Sequence, residues 1–234
     1  MPETSFLWFQ IWFSQLGLWF ETGDRERYDE AIQCGERSGR SPAFAGWQFA
    51  HFWVLKGLCR AEQALHSEGE ERERRIRQLV ESVKELKVPS KFPFIACSVE
   101  LLRAWVAYFR GDWEAALNKL GAAEAGAILS DNPMTRYYTT LSRARMLTAR
   151  GQTLASQYEV RQALALCEAH GWTQRASRTR QEFPTGPAGR GSSSTTRHNL
   201  TSSLGERASP EAARLRRERD ALLDVGEATA AVQD

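Results

Sequence analysis

Apolar residues along the first 170 positions recur every three to four residues, and no long stretch alternates strictly. That period predicts helices and no sheet. Four helical hairpins follow: 6–20 with 25–37, 44–66 with 70–86, 94–110 with 113–129, and 134–150 with 154–170. A short basic helix over 174–183 comes after them. Gly23, Gly111 and Gly151 occupy the turns of the first, third and fourth hairpins, and Ser67-Glu68-Gly69 that of the second. The steps between these glycines are 46, 42 and 40 residues. Glycine ends a helix cheaply because it accepts the left-handed conformation required there. Between hairpins, Ser41-Pro42, Pro89 with Pro93, and Asn132-Pro133 stop or restart helices. A near-constant period with this punctuation predicts a solenoid of stacked antiparallel helical hairpins.

The two helices of each hairpin differ in character. Trp47, Phe49, Phe52, Trp53, Leu55 and Leu58 cannot share one face of a helix, and neither can Phe94, Ile95, Val99, Leu101, Leu102, Trp105, Val106 and Phe109. Such helices need cover from several directions. The second helices are amphipathic: Ile76, Leu79, Val80, Val83 and Leu86 make one stripe while 70–75 is expected in solvent. In the third hairpin, Trp113, Leu117 and Leu120 do the same. The alternation is what stacking demands, since no single repeat can bury its apolar face alone. The fourth hairpin carries Arg136, Arg143, Arg145 and Arg150 in its first helix, which suits a terminal cap. Residues 6–20, in contrast, are apolar around the whole circumference with one hairpin to cover them. A preceding repeat, or a second copy of the chain in a homodimer, is the expected cover.

Tyr28-Asp29-Glu30-Ala31-Ile32 and Gly111-Asp112-Trp113-Glu114-Ala115-Ala116-Leu117 resemble the start of the second helix in a tetratricopeptide repeat. The resemblance implies that Tyr28 and Trp113 pack at the turn, that Ala31 and Ala116 are close-contact positions, and that Gly111 and Gly151 are turn positions of a tetratricopeptide-like solenoid. The period exceeds the standard length of about 34 residues, and such longer repeats resemble those of large bacterial ATPase regulators. The helical-repeat domain is expected over 3–182. Glycine, serine, threonine and proline dominate after it, so 183–209 is expected to be a flexible linker. Ser209-Pro210-Glu211 then makes a helix start, and 210–234 is expected to be a helix. Within it, Arg219-Asp220-Ala221-Leu222-Leu223-Asp224-Val225 resembles the connector helix leading into a GAF sensor domain. The whole order resembles the middle of bacterial proteins that join a serine/threonine kinase, a predicted ATPase, tetratricopeptide-like repeats, a GAF domain and a histidine kinase. What this resemblance implies is scaffold and connector, because the catalytic parts of that family have no counterpart in this sequence.

Charge and composition narrow the function further. With 31 basic and 29 acidic side chains the net charge is +2, and the charges are interspersed. Nucleic acid is therefore not an expected partner. Residues 6–20 fall short of the ~20 needed to span a bilayer, and they follow Met1-Pro2-Glu3-Thr4-Ser5 rather than a basic leader. Buried helix is the expectation. Cys34, Cys59, Cys97 and Cys167 are far apart in apolar stretches, with no CxxC pair, as in a reducing cytoplasm. His51, His66, His170 and His198 have no partner at metal-ligand spacing. Gly186-Pro187-Ala188-Gly189-Arg190-Gly191-Ser192 lacks the lysine, the strand and the helix of a phosphate loop. No GxSxG elbow occurs. The sequence thus predicts a non-catalytic scaffold without cofactor, whose partners are proteins or adjacent signalling domains. Two alternatives stand beside it: a ligand sensor using the concave groove, and a fragment of a multidomain kinase or ATPase whose activity lies outside this chain.

Overall fold

The computed structural model describes residues 6–37 and 47–184. Among them are nine α-helices and no strand. They are α1 (Phe6–Thr22), α2 (Tyr28–Arg37), α3 (Trp47–Leu65), α4 (Gly69–Glu85), α5 (Pro93–Phe109), α6 (Trp113–Leu129), α7 (Pro133–Ala149), α8 (Thr153–Ala169) and α9 (Thr173–Glu182). The expected linker beyond Pro184 and the expected connector helix over 210–234 lie outside the described residues, as do Ser41-Pro42 and His198.

Each odd-numbered helix from α1 to α7 packs on its successor, and the odd helices also pack on one another. The fold is an all-α stack of helical hairpins. Residues 25–27, expected to open α2, form a separate 3₁₀ turn instead. The amide of Asp24 bonds back to the Trp19 carbonyl at 2.9 Å, which closes α1 and starts α2 only at Tyr28. At the third turn, Gly111 adopts φ +79°, and the next residue, Asp112, caps α6 by accepting from the Ala115 amide at 3.0 Å. Asn132 caps α7 in the same way through the Thr135 amide, at 3.0 Å.

Register between first helices is fixed by polar contacts buried in the stack. Ser98 and Thr135 hydroxyls lie 2.8 Å apart, and the Trp105 indole donates to Ser142 Oγ at 3.0 Å. Both pairs join α5 to α7, about two helical turns apart, and each spans 37 residues of sequence. A slip of either helix would leave buried donors without acceptors.

The apolar core divides in two. The large cluster runs from Phe9, Leu16 and Phe20 through Phe52, Trp53 and Leu79 to Ile95, Leu102, Trp105 and Leu120, so it belongs mainly to α1–α6. A small cluster of Tyr137, Leu141, Ala163, Cys167 and Ala176 serves α7–α9. The fourth hairpin is not the end of the stack, because α9 packs on α8 beyond it.

Two close approaches set the spacing inside the large core. A Cβ on Gly35 would lie 2.3 Å from Phe52 Cζ, and Phe52 is held by Phe9, with ring centroids 5.0 Å apart. A Cβ on Gly57 would lie 2.5 Å from Leu102 Cδ1, another fully buried side chain. Alanine favours a helix over glycine by up to ~1 kcal/mol, but here overpacking of about 1–3 kcal/mol opposes it. Gly35→Ala and Gly57→Ala should therefore lower stability in urea denaturation. Gly121→Ala, on open helix surface with nothing within 4 Å, should raise it. If all three raise it, the seams are looser than drawn.

Candidate functional site: the charged interior

Polar residues interrupt the apolar pattern of α3 in its second half, and this places charge inside the stack. Lys56, Arg60, Glu62 and Gln63 are all buried. Glu62 is only 3% exposed. It accepts from the Tyr28 hydroxyl of α2 at 2.8 Å, from Arg145 of α7 at 3.4 Å, and from Arg178 of α9. Burial, followed by the neighbouring Glu62 carboxylate, pushes the Tyr28 phenol well above its usual range, so it remains a donor. Arg145 also grips Glu182 with two bonds, of 2.6 and 2.8 Å. Burial alone would raise the Glu182 carboxyl, but the Arg145 contact brings it below its usual range.

Beside this lies an arginine box. Arg175 of α9 binds the Glu21 carboxylate of α1 through Nε and Nη2, at 2.6–3.0 Å. Its guanidinium sits 4.4 Å from the Trp172 ring, 5.7 Å from Tyr138 and 5.9 Å from Tyr137. Tyr138 adds a hydrogen bond to Glu21 at 2.9 Å. Arg178, three residues on, lies 5.7 Å over Phe20 and donates to the Phe20 carbonyl as well as to Glu62. The carboxylate fork and the flat ring faces match the guanidinium, not an ammonium.

A second network links α2, α3 and α4. Arg75 forms a fork with Asp29, 2.8 Å to each carboxylate oxygen, and Arg60 binds Asp29 from the other side. Arg75 was expected in solvent with the rest of 70–75; it is buried because its fork reaches back to α2. Lys56 bridges Glu36 at 2.6 Å and Glu85 at 2.7 Å. On the far side, Arg143 joins Glu124 and Glu159. Arg143 and Arg145 are thus largely buried links, not the solvent face of a cap.

Of the residues singled out from sequence, Tyr28 belongs to this interior. Ala31 and Ala116 are fully buried at hairpin seams, and Trp113 is half-buried with Arg150 4.6 Å over its ring. Gly111 and Gly151 occupy exposed turns at positive φ. These six residues do not converge on one place. Cys59, Cys97 and Cys167 are buried free thiols, and Cys34 is half-buried. His51 lies on the surface, stacked on Phe94 at 5.6 Å. Among the described residues no cluster of His, Cys, Asp or Glu is arranged to hold a metal ion, and no helix is long and apolar enough to cross a membrane. Two open grooves run along α4. One of about 760 Å³ is lined by Gly69, Arg72, Glu73, Arg77 and Phe109, the other, of about 310 Å³, by Lys56, Arg60, Arg74 and Glu81. Comparison with family models, with curated proteins and with solved structures found no match.

The Asp29 network gives the fold an acid limit. Burial alone would raise the Asp29 pKa, but hydrogen bonds from Arg75 and Arg60 carry it from 3.8 to about 2. A folded-state value below the unfolded one stabilises fully above pH ~4 and is lost as pH falls through about 2. Stability followed between pH 5 and 2 should therefore fall less steeply in Asp29→Asn than in the native chain. Parallel curves would show that Asp29 is not ion-paired in solution.

Proposed function

We propose that this chain is a non-catalytic interaction scaffold, a tetratricopeptide-like stack that couples a protein partner or adjacent signalling domain without making or breaking a bond. The observation that carries the reading is a strip of apolar side chains on α1. Leu7, Ile11 and Leu18 are 70%, 46% and 56% exposed, at helical spacing along one side. Exposed apolar side chains aligned on one face of a helix, here interrupted only by Ser14, are what a protein contact uses. The charged groups of the interior support it too, because they are engaged with one another in pairs and forks, as structural links are. The signalling setting rests on the resemblance of 219–225 to a GAF-linking connector, and the cytoplasmic setting on the free thiols.

The test places a photo-crosslinking residue at Leu7, Ile11 or Leu18 in the native host, with exposed Gln162 of α8 as control. The α1 positions should give one discrete heavier protein adduct, and position 162 none. Ile11→Glu with Leu18→Glu should abolish the adduct while changing stability by under about 1 kcal/mol, since both side chains are on the surface. Adducts equal at all positions, or absent from α1, would overturn the reading. Unfolding of the double variant would show instead that the strip is internal core.

A further inference from the structure

The helix α9 has little of what usually holds a helix in place. Its sequence, TQRASRTRQE, contains one apolar side chain, Ala176, and only Ala176 and Thr179 are buried. Ten residues of this kind do not form a stable helix alone. The small cluster that α9 joins is separate from the main core. What fixes α9 is chiefly polar: Arg175 on Glu21, Arg178 on Glu62 and the Phe20 carbonyl, Glu182 on Arg145, and Thr179 Oγ1 at 2.9 Å from the Tyr137 hydroxyl. Through these contacts the last of the described helices reaches α1, the first of them, across 154 residues of sequence.

The receiving surface is built for that occupant. Without α9, Glu21 keeps only the Tyr138 hydroxyl among the contacts described above, and the deeply buried Glu62 keeps Tyr28 and Arg145. Glu21 would then lose the guanidinium of Arg175 and Glu62 that of Arg178, with Phe20, Tyr137 and Tyr138 as ring walls. Loss of one partner of such an ion pair is costly. The deficit is met by guanidinium groups at i, i+3 spacing on a helix, as Arg175 and Arg178 provide.

We infer that the inner face of α1, α3 and α7 is a binding site for an arginine-bearing helical segment, and that α9 is its resident, displaceable occupant. A partner helix carrying two arginines three residues apart takes the same two sites, Glu21 with its aromatic walls and Glu62, when α9 leaves. The proposal rests on the scaffold reading, but its test uses the chain's own helix and is independent of the α1 strip.

A labelled peptide of residues 172–183 is titrated against the full chain and against full-length Arg175→Ala/Arg178→Ala. A tethered helix competes at roughly millimolar effective concentration, so the variant should bind the peptide on the order of 100-fold more tightly than the native chain. Adding Glu21→Gln and Glu62→Gln should remove the gain. A peptide with both arginines changed to lysine should bind at least ~10-fold more weakly, because the fork and the ring stacking are lost. A variant that keeps its helical spectrum yet binds no better than the native chain overturns the proposal. In case the variant unfolds, hydrogen exchange on the native chain decides. Amides of α9 should exchange well before those of α3 and α7, and faster as salt rises; equal protection in all three helices overturns the proposal.

Discussion

A carboxylate 3% exposed in the middle of a helical stack is a constraint that its neighbours must satisfy. Carboxylate oxygens buried there need cations and donors at contact distance. Glu62 draws them from three other helices: Tyr28 from α2, Arg145 from α7 and Arg178 from α9. α3 comes early and α9 last among the described helices, so these contacts tie early and late parts of the stack together. Glu21, binding Arg175 and Tyr138, makes a second link of the same kind from α1.

Two adhesives of different kinds divide the structure. From α1 to α6 the contacts are mostly apolar and close-packed, tight enough that Phe52 lies on Gly35 and Leu102 on Gly57. There, a misfit costs volume. Across α2–α4, and again where α9 meets α1, α3 and α7, the contacts include forked ion pairs, and a misfit there leaves an ion unpaired. Burial of a charge pair contributes little net stability, but breaking one side of it is expensive. The apolar part thus supplies cohesion, while the charged part supplies register and the ties between distant helices. The Ser98–Thr135 and Trp105–Ser142 bonds join α5 to α7, and they fix how the second sits on the first.

The elements were legible in the sequence because their causes are local. Glycine turns and proline starts stand beside the helices they end or open, so Gly111, Asn132-Pro133 and Gly151 mark boundaries to within a residue or two. The missed 3₁₀ turn at Arg25–Arg27 has the same scale: charged residues before Tyr28 look helical, and only the Asp24–Trp19 bond separates them. The interior was not legible. Arg145 and Glu62 are 83 residues apart, Arg178 and Glu62 are 116, and Arg175 and Glu21 are 154. Nothing in local period predicts such pairs, and arginines on a polar helix look like solvent-facing ones. A faint signal did exist. Lys56, Arg60, Glu62 and Gln63 stand in a helix whose other half is apolar on most sides, and polar residues in such a helix require buried partners.

This division also orders the dynamics. A contact built from buried apolar area weakens little when salt is added, whereas ion pairs open to water at one edge are screened within a Debye length. The edge here is α9: Arg178 is part-exposed and the Arg145–Glu182 pair lies near the surface, while Glu62 below them does not reach water. Opening therefore begins at the ions closest to solvent and proceeds inward, and each step leaves Glu62 with fewer partners. The last step, which strips Glu62 at the centre, is the most costly, and a competitor that brings cations of its own lowers that cost. A helix held in that way is ordered without being permanent, in contrast to α3 and α5, whose packing leaves them no separate route out of the fold.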